Sequence, residues 1–157
     1  MDYPLQSMLR IRVTREERAG ADLTAARRAR TAAERELEAR RQDRAKYLET
    51  REARRDRIYE QVLGRPVSME RLDEVRAAVT QVDEEGVLLE QAERKAQDAV
   101  NERARAAESA RVQFVAASRN RMKIDEHRNV WTEEVHLEEE RAADAEMEEF
   151  AGRRQED

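Results

Sequence analysis

Cysteine is absent from this 157-residue chain, which excludes disulfide bonds and thiolate metal sites without assigning a compartment. Aromatic residues make up only 4% and charged residues 43%, so large apolar groups are too few to fill a multilayer core. No apolar run approaches the roughly 18 residues of a membrane span, and no signal-peptide segment follows Met1. We therefore expect a soluble, cytoplasmic protein that is not an ordinary globular domain.

Helix-breaking residues are also scarce, with only 4 Gly and 2 Pro, and the second half of the chain carries a long heptad pattern. From Leu72 to Glu149, twenty-three successive a and d positions follow one another without a slip, and sixteen of them are apolar. The residues between them are mostly Arg, Glu, Asp, Gln and Ala. A seam of this length predicts a coiled-coil helix, whereas a disordered chain of equal polarity would lack it.

The first half of the chain predicts a shorter helix that begins near Pro4, since proline suits a first turn. Leu9, Leu23 and Leu37 are spaced by two heptads each. Beyond them, Leu37, Leu48 and Tyr59 are spaced by eleven residues. That spacing predicts a drift of the heptad phase and a local relaxation of the left-handed supercoil.

A stop signal separates the two helices. Gly64 suits the left-handed C′ conformation, Pro66 cannot continue a helix, and Ser68 is a good N-cap for the next one. A short loop makes the helices antiparallel neighbours. The fold class is therefore all-α: a single domain over 1–157, formed by a long two-helix antiparallel coiled-coil hairpin with helix two longer than helix one. The predicted bounds are about 4–63 for helix one, 64–67 for the turn and about 68–150 for helix two.

The hairpin also predicts contacts and an unpaired end. With the turn centred near residue 65, residue i faces roughly residue 131 − i, so Phe114 should pack near Gly20 and Tyr47 near Gly86. Helix two outruns helix one beyond about Trp131, which leaves residues 132–157 as an overhang. Residues 125–157 carry 4 basic against 13 acidic side chains, so the overhang is strongly acidic. An amphipathic acidic segment without a partner indicates a surface for another protein.

The residues give little support to catalysis, cofactors or metals. His127 and His136 are nine positions apart and face away from each other, and we interpret both as solvated surface residues. No phosphate loop, metalloprotease motif or catalytic triad is present. The run Glu138-Glu139-Glu140 is more typical of a solvated face than of a metal site. We predict a protein that is not an enzyme and holds no cofactor or metal.

Arginine is abundant, yet the pattern does not favour nucleic acid. Acidic residues interleave with the arginines of helix one, and phosphate binding needs a patch of one sign. The same neutralisation excludes a basic membrane-inserting helix. At the terminal end, however, Ile11 and Val13 lie off the seam among a dense group of basic residues. That combination indicates a docking tip.

Three segments resemble the YscO-type proteins of bacterial type III secretion (also called SctO), which are similar to the flagellar protein FliJ. The first is the opening YPLQSMLRIRVTREERA, the second is IYEQVLGRPVSMERLDEVR around the turn, and the third is KIDEHRNVW late in helix two. The resemblance covers residues 3–131. It implies a hairpin similar to the coiled-coil stalk of a rotary ATPase. It also implies a place at the inner-membrane secretion apparatus and a role in virulence-related protein transport.

The resemblance further implies partners and site residues. The terminal end would dock in the hexameric secretion ATPase and stimulate it, and the turn end would reach the export gate protein. The implied ATPase contacts are Leu9, Arg10, Arg12, Arg15, Arg121, Lys123, Arg128 and Trp131. The implied gate-facing residues are Tyr59, Val62, Arg65 and Pro66.

Two other functions remain open from the sequence. The hairpin could be a binding module that escorts secretion chaperones, or a generic coiled-coil scaffold that assembles through the overhang. Neither reading needs nucleic acid or membrane insertion.

Overall fold

A computed structural model describes residues 3–153 of the chain, with side chains described for residues 3–148. Two helices form the fold: α1 spans Gln6–Glu60 and α2 spans Met69–Arg153. They contain 55 and 85 residues respectively, and they pack against each other. The predicted all-α antiparallel hairpin with a longer second helix is confirmed. Within residues 3–153, neither helix has a stretch apolar enough to cross a membrane.

The helix ends differ from the predicted bounds by a few residues. Pro4 lies in a turn ahead of α1, and Gln6 N–H donates to the Tyr3 carbonyl at 3.1 Å. At the other end, α1 stops at Glu60, before Gly64 adopts a φ of +71°. Such a left-handed backbone favours glycine because it has no Cβ. The hairpin turn thus depends on having glycine at position 64.

The N-cap of α2 is formed as the sequence predicts. The Ser68 hydroxyl oxygen accepts a hydrogen bond from the Arg71 amide at 3.2 Å, and the Ser68 carbonyl accepts one from Leu72 at 3.1 Å. Glu70 lies in the first turn, where its negative charge faces the positive end of the helix dipole. This cap sets where α2 begins and therefore the register of the hairpin.

The chain divides into two compact units, which we name by their position. The terminal unit contains the described residues up to Leu23 and from Ser109 onward, and the turn unit contains Thr24–Glu108. Each unit has its own small apolar interior. In the terminal unit the buried side chains are Tyr3, Leu9 and Leu23. In the turn unit they are Leu37, Tyr47, Val75, Val79, Val82, Ala96 and Ala107.

The predicted seam of α2 is the packed face of that helix. From Leu72 to Val135, every a and d position except Arg103 is buried or half-buried. Arg103 is exposed, and the neighbouring Ala104 is half-buried in its place. With the small residue Ala104 facing the interior, the guanidinium of Arg103 stays hydrated at the surface. The heptad pattern therefore identifies the interior of a helix that has few large apolar residues.

The predicted drift of the heptad phase in α1 is wrong. Leu48 and Tyr59 are 52% and 41% exposed, whereas Arg44, Arg51 and Ile58 are half-buried at heptad spacing from Leu37. Arginine stems are apolar and can cover a seam while the guanidinium reaches water. The heptad phase thus continues to the end of α1, with arginines in positions that apolar residues usually fill.

The overhang has no cover from α1. Val135 is the last half-buried residue of α2, and every described side chain from His136 to Glu148 is exposed. Tyr3, ahead of α1, already lies against the region of Ile124 to Trp131. Among the described side chains, the uncovered part of α2 therefore begins after Val135, a few residues beyond Trp131.

Candidate functional site

In the terminal unit, Tyr3 packs against His127 and Trp131 in an aromatic cluster. Tyr3 itself is only 8% exposed. Its hydroxyl oxygen lies 3.0 Å from Nδ1 of His127 and can donate to the Ile124 carbonyl at 3.4 Å. Its ring centroid lies 5.5 Å from that of Trp131, with the planes tilted by 57°. Tilted aromatic pairs at such distances are favourable. The cluster fastens the segment before α1 to the side of α2.

Sequence analysis missed Tyr3 and understated His127. His127 is exposed, as expected for a surface histidine, but its ring also contacts Tyr3 at a centroid distance of 5.8 Å. Tyr3 lies ahead of the helix, where heptad counting does not apply. The available signal was an aromatic residue next to Pro4 opposite a late aromatic in helix two. Trp131, predicted as a docking residue, is half-buried in this cluster.

An ion-pair network occupies the next turn of the terminal unit. Arg121 donates to Glu16 of α1 at 3.1 Å and to Asp125 at 2.9 Å. Asp125 also lies 3.4 Å from Arg128. The hydrogen bonds that the Arg121 guanidinium donates to Glu16 and Asp125 raise its pKa. Two of the predicted ATPase contacts, Arg121 and Arg128, are therefore engaged within the hairpin.

The remaining predicted cations of this unit point to solvent. Arg10, Arg15 and Lys123 are exposed, and Arg12 is half-buried. Among the described residues, no carboxylate lies within 4.0 Å of any of these four charges. Leu9, in contrast, is 5% exposed and belongs to the interior. The predicted set thus divides into exposed cations and side chains that pack within the hairpin.

Exposed apolar side chains accompany these cations. Ile11 is 52% exposed, which agrees with its position off the seam, and Met8 and Met122 are 43% and 62% exposed. Sequence analysis missed Met8 and Met122, although each is adjacent in helical spacing to a predicted cation. Apolar groups set among cations form a surface suited to a protein partner. We define Met8, Arg10, Ile11, Arg15, Met122 and Lys123 as the terminal surface.

The hairpin turn carries a second exposed surface. Of the residues predicted to face the export gate, Tyr59, Arg65 and Pro66 are exposed and Val62 is half-buried. Leu63 and Met69, which sequence analysis missed, are the most exposed apolar residues there, at 72% and 69%. They flank the turn where the heptad pattern stops, so they have no seam position to fill.

The turn unit is held by cross-helix ion pairs. Arg44 donates to Glu93 at 2.9 Å, and Arg54 donates to Glu85 at 2.6 Å. The hydrogen bond from Arg54 holds the pKa of the Glu85 carboxyl below its ordinary range, and Glu93 raises the pKa of Arg44. These charges satisfy one another, so they indicate a structural role in this unit.

Comparisons with known proteins agree with the geometry. The family model described as type III secretion protein YscO matches residues 5–153. The chain belongs to the YscO family. A solved structure described as a YscO homolog, CT670 from Chlamydia trachomatis, has a TM-score of 0.73 at 23% identity, over 96% of this chain and 93% of that one. At this identity, the likeness shows a shared fold. No curated protein matches the chain.

YscO-family membership confirms the resemblance found in the three sequence segments. It makes this a type III secretion-related protein, and the match extends past Trp131 into the acidic overhang.

Proposed function

We propose that this YscO-family protein is the non-enzymatic central stalk of a type III secretion system, in the cytoplasm and peripheral to the inner membrane. In this role its terminal surface docks in the hexameric export ATPase and stimulates it. Its turn end, with Tyr59, Val62, Arg65 and Pro66, reaches the export gate.

One observation carries the proposal: the terminal surface presents cations that have no carboxylate partner among the described residues. Arg10, Arg15 and Lys123 stay exposed there, while Arg121, two residues before Lys123, pairs with Glu16 and Asp125. Contacts made through exposed charged side chains are individually weak. A stalk that moves between ATPase subunits needs contacts of that kind, because they release and re-form readily.

A physical mechanism follows from asymmetry. A single hairpin in a sixfold ring meets different subunits with different faces, so it can bias which subunit interface closes on nucleotide. The bias requires that the hairpin bind the subunit states with different affinity. It requires no contact with nucleotide.

The test is stimulation of the cognate secretion ATPase by the full-length hairpin. Arg10→Glu, Arg12→Glu and Arg15→Glu together should abolish stimulation while helicity by circular dichroism is retained, because Glu and Arg have similar helix propensities. A matched triple variant, Arg76→Glu, Arg103→Glu and Arg105→Glu, reverses as many charges on exposed residues of the turn unit. It should stimulate like the unmodified protein. Equal stimulation by both variants would contradict the assignment of the terminal surface.

A binding module for secretion chaperones is the second candidate. It is favoured by exposed apolar residues on the turn unit, since Leu48 and Val87 are 52% and 54% exposed and line one depression with Tyr47 and Gly86. Leu48→Glu with Val87→Glu should then abolish chaperone co-purification and leave ATPase stimulation intact.

A further inference from the structure

Helix α1 carries three arginines, within residues 24–35, whose guanidinium groups have no carboxylate partner among the described residues. Thr24, Arg27, Arg28, Thr31, Ala32 and Arg35 line one shallow depression on its outer surface. All six are exposed. We call these six residues the basic face.

The neighbouring arginines make the contrast clear. Arg30 pairs with Glu34 at 2.8 Å, and Arg40 pairs with Glu36 at 2.6 Å. Further along α1, Arg44 and Arg54 reach carboxylates of α2. Within the described residues, no carboxylate lies within 4.0 Å of the three guanidinium groups of the basic face. The three arginines of the basic face are therefore unneutralised among the described residues, unlike Arg30 and Arg40 on the same helix.

The overhang of α2 has the opposite property. Residues 132–148 contain eight Asp or Glu and one Arg, and their side chains are exposed except for the half-buried Val135. The one ion pair found there among described residues is internal, between His136 and Glu140 at 3.4 Å. The overhang is thus a helical acidic ligand that the described structure leaves uncovered.

The spacing of the two charge sets is the same. Arg28 and Arg35 are seven residues apart along one helix, and so are Glu133 and Glu140, and Glu139 and Glu146, along the other. Seven residues correspond to two helical turns, or about 10 Å, so both sets repeat on one side of their helix. Ala32 between the arginines leaves room for a second helix to approach. Two helices can therefore pair these charges side by side.

We propose that the acidic overhang of one copy of this chain lies on the basic face of α1 in a second copy. In a two-fold dimer the contact is made twice, because residue i of each copy meets residue j of the other. Exposed ion pairs contribute little individually, and the apolar Val135 and Leu137 of the overhang add only a small buried area. The dimer is accordingly weak, reversible and sensitive to salt.

The observations favour this partner over nucleic acid. The basic face has no aromatic residue on which a base could stack, and Glu34 and Glu36 lie within or beside it. An acidic helix can pair with the guanidinium groups without an aromatic residue for stacking and without an uninterrupted basic patch. If the basic face bound nucleic acid instead, a fluorescent oligonucleotide would sediment together with the unmodified protein. That co-sedimentation would overturn the proposal.

Sedimentation equilibrium of the full chain tests the dimer. The dimer dissociation constant should rise at least tenfold between about 50 mM and about 500 mM NaCl, because screening weakens exposed pairs. Arg27→Glu, Arg28→Glu and Arg35→Glu together should weaken the dimer at low salt by at least tenfold, and so should Glu133→Arg with Glu139→Arg and Glu140→Arg. The triple variant Arg76→Glu, Arg103→Glu and Arg105→Glu is the matched control and should dimerise normally.

A mixture of the two charge-reversed variants completes the experiment. Each variant has one reversed surface, so mixing restores a complementary pair between the reversed basic face and the reversed overhang. A heterodimer should form in the mixture at low salt, with a dissociation constant at least tenfold below that for dimerisation of either variant alone. A monomeric unmodified chain at low salt, or a dimer that survives either reversal, would overturn the proposal. This outcome is independent of ATPase stimulation, which is measured on the terminal surface.

Discussion

The Tyr47 side chain occupies the space that a side chain at position 86 would need. Its hydroxyl donates to the Val82 carbonyl at 2.7 Å, and the ring lies over Gly86. A Cβ added to Gly86 would come within 2.6 Å of the Tyr47 hydroxyl oxygen and 2.8 Å of two ring carbons. The buried aromatic residue and the glycine therefore form one packing unit between the helices.

Gly86→Ala should lower the free energy of unfolding by about 1–2 kcal/mol, since overpacking displaces the Tyr47 ring and its hydrogen bond. This loss opposes the gain of about 1 kcal/mol that alanine brings to a helix interior. Gly20→Ala is the matched control. Its Cβ would meet Phe114 at an ordinary 3.4 Å, so it should raise the free energy of unfolding by about 0.5–1 kcal/mol.

Urea unfolding followed by circular dichroism measures both variants. The account requires opposite signs for the two glycines. If both substitutions stabilised the hairpin equally, Tyr47 would not be packed against Gly86 as described.

Tyr3→Ala should shift the fluorescence emission of Trp131 to longer wavelength. Trp131 is the sole tryptophan of the chain, and the Tyr3 ring covers part of its indole. Removal of that ring admits water to the indole. Tyr59→Ala, at the exposed turn, should leave the emission unchanged. An unchanged spectrum for Tyr3→Ala would contradict the aromatic cluster at the terminal unit.

Glu85→Gln should lower the melting temperature at neutral pH and have progressively less effect in acid. Arg54 holds the pKa of Glu85 below its ordinary value of 4.5. A lowered pKa in the folded state means that the stabilising contribution is complete above pH 4.5 and is lost as pH falls through the lower folded value. The melting temperatures of the unmodified protein and Glu85→Gln should therefore differ at pH 7 and converge in the acid range. Glu102→Gln, at an exposed residue of the same unit, is the control and should change neither melt.

Ser68→Ala should lower the free energy of unfolding by about 1 kcal/mol, because the hydroxyl caps the first turn of α2. The Arg71 amide loses its acceptor at 3.2 Å. Ser68→Asp keeps an acceptor oxygen at the N-cap and should retain stability within a few tenths of a kcal/mol. Equal losses of stability for Ser68→Ala and Ser68→Asp would contradict the capping role of the Ser68 side-chain oxygen.

The sequence predicted the fold and its register because spacing alone decides them. Gly20 opposite Phe114 and Tyr47 opposite Gly86 follow from the position of the turn at Gly64, and both contacts occur. Heptad spacing likewise located the interior of α2 despite its scarcity of large apolar residues. The position of the turn and the heptad spacing together determine which residues of the two helices face each other, and both can be seen in the sequence.

Other features could not be predicted from periodicity. Arg44 and Arg51 occupy seam positions because the long apolar stem of arginine can cover the seam while its guanidinium reaches water. Counting apolar residues alone placed Leu48 on the seam, although it is exposed. Tyr3 lies before the helix and outside any repeat. Which cations stay exposed depends on whether an acid lies within reach across the hairpin, as Glu16 does for Arg121. The candidate contacts Leu9 and Arg121 are instead buried or ion-paired within the terminal unit.

The most direct test of the central claim is site-specific photo-crosslinking in secreting cells from two positions of the hairpin. A crosslinking residue at Arg15, on the terminal surface, should capture the export ATPase and not the export gate protein. The same residue at Arg65, in the turn, should capture the gate protein and not the ATPase. Capture of the ATPase from Arg65 with none from Arg15 would contradict the proposed orientation and, with it, the stalk function.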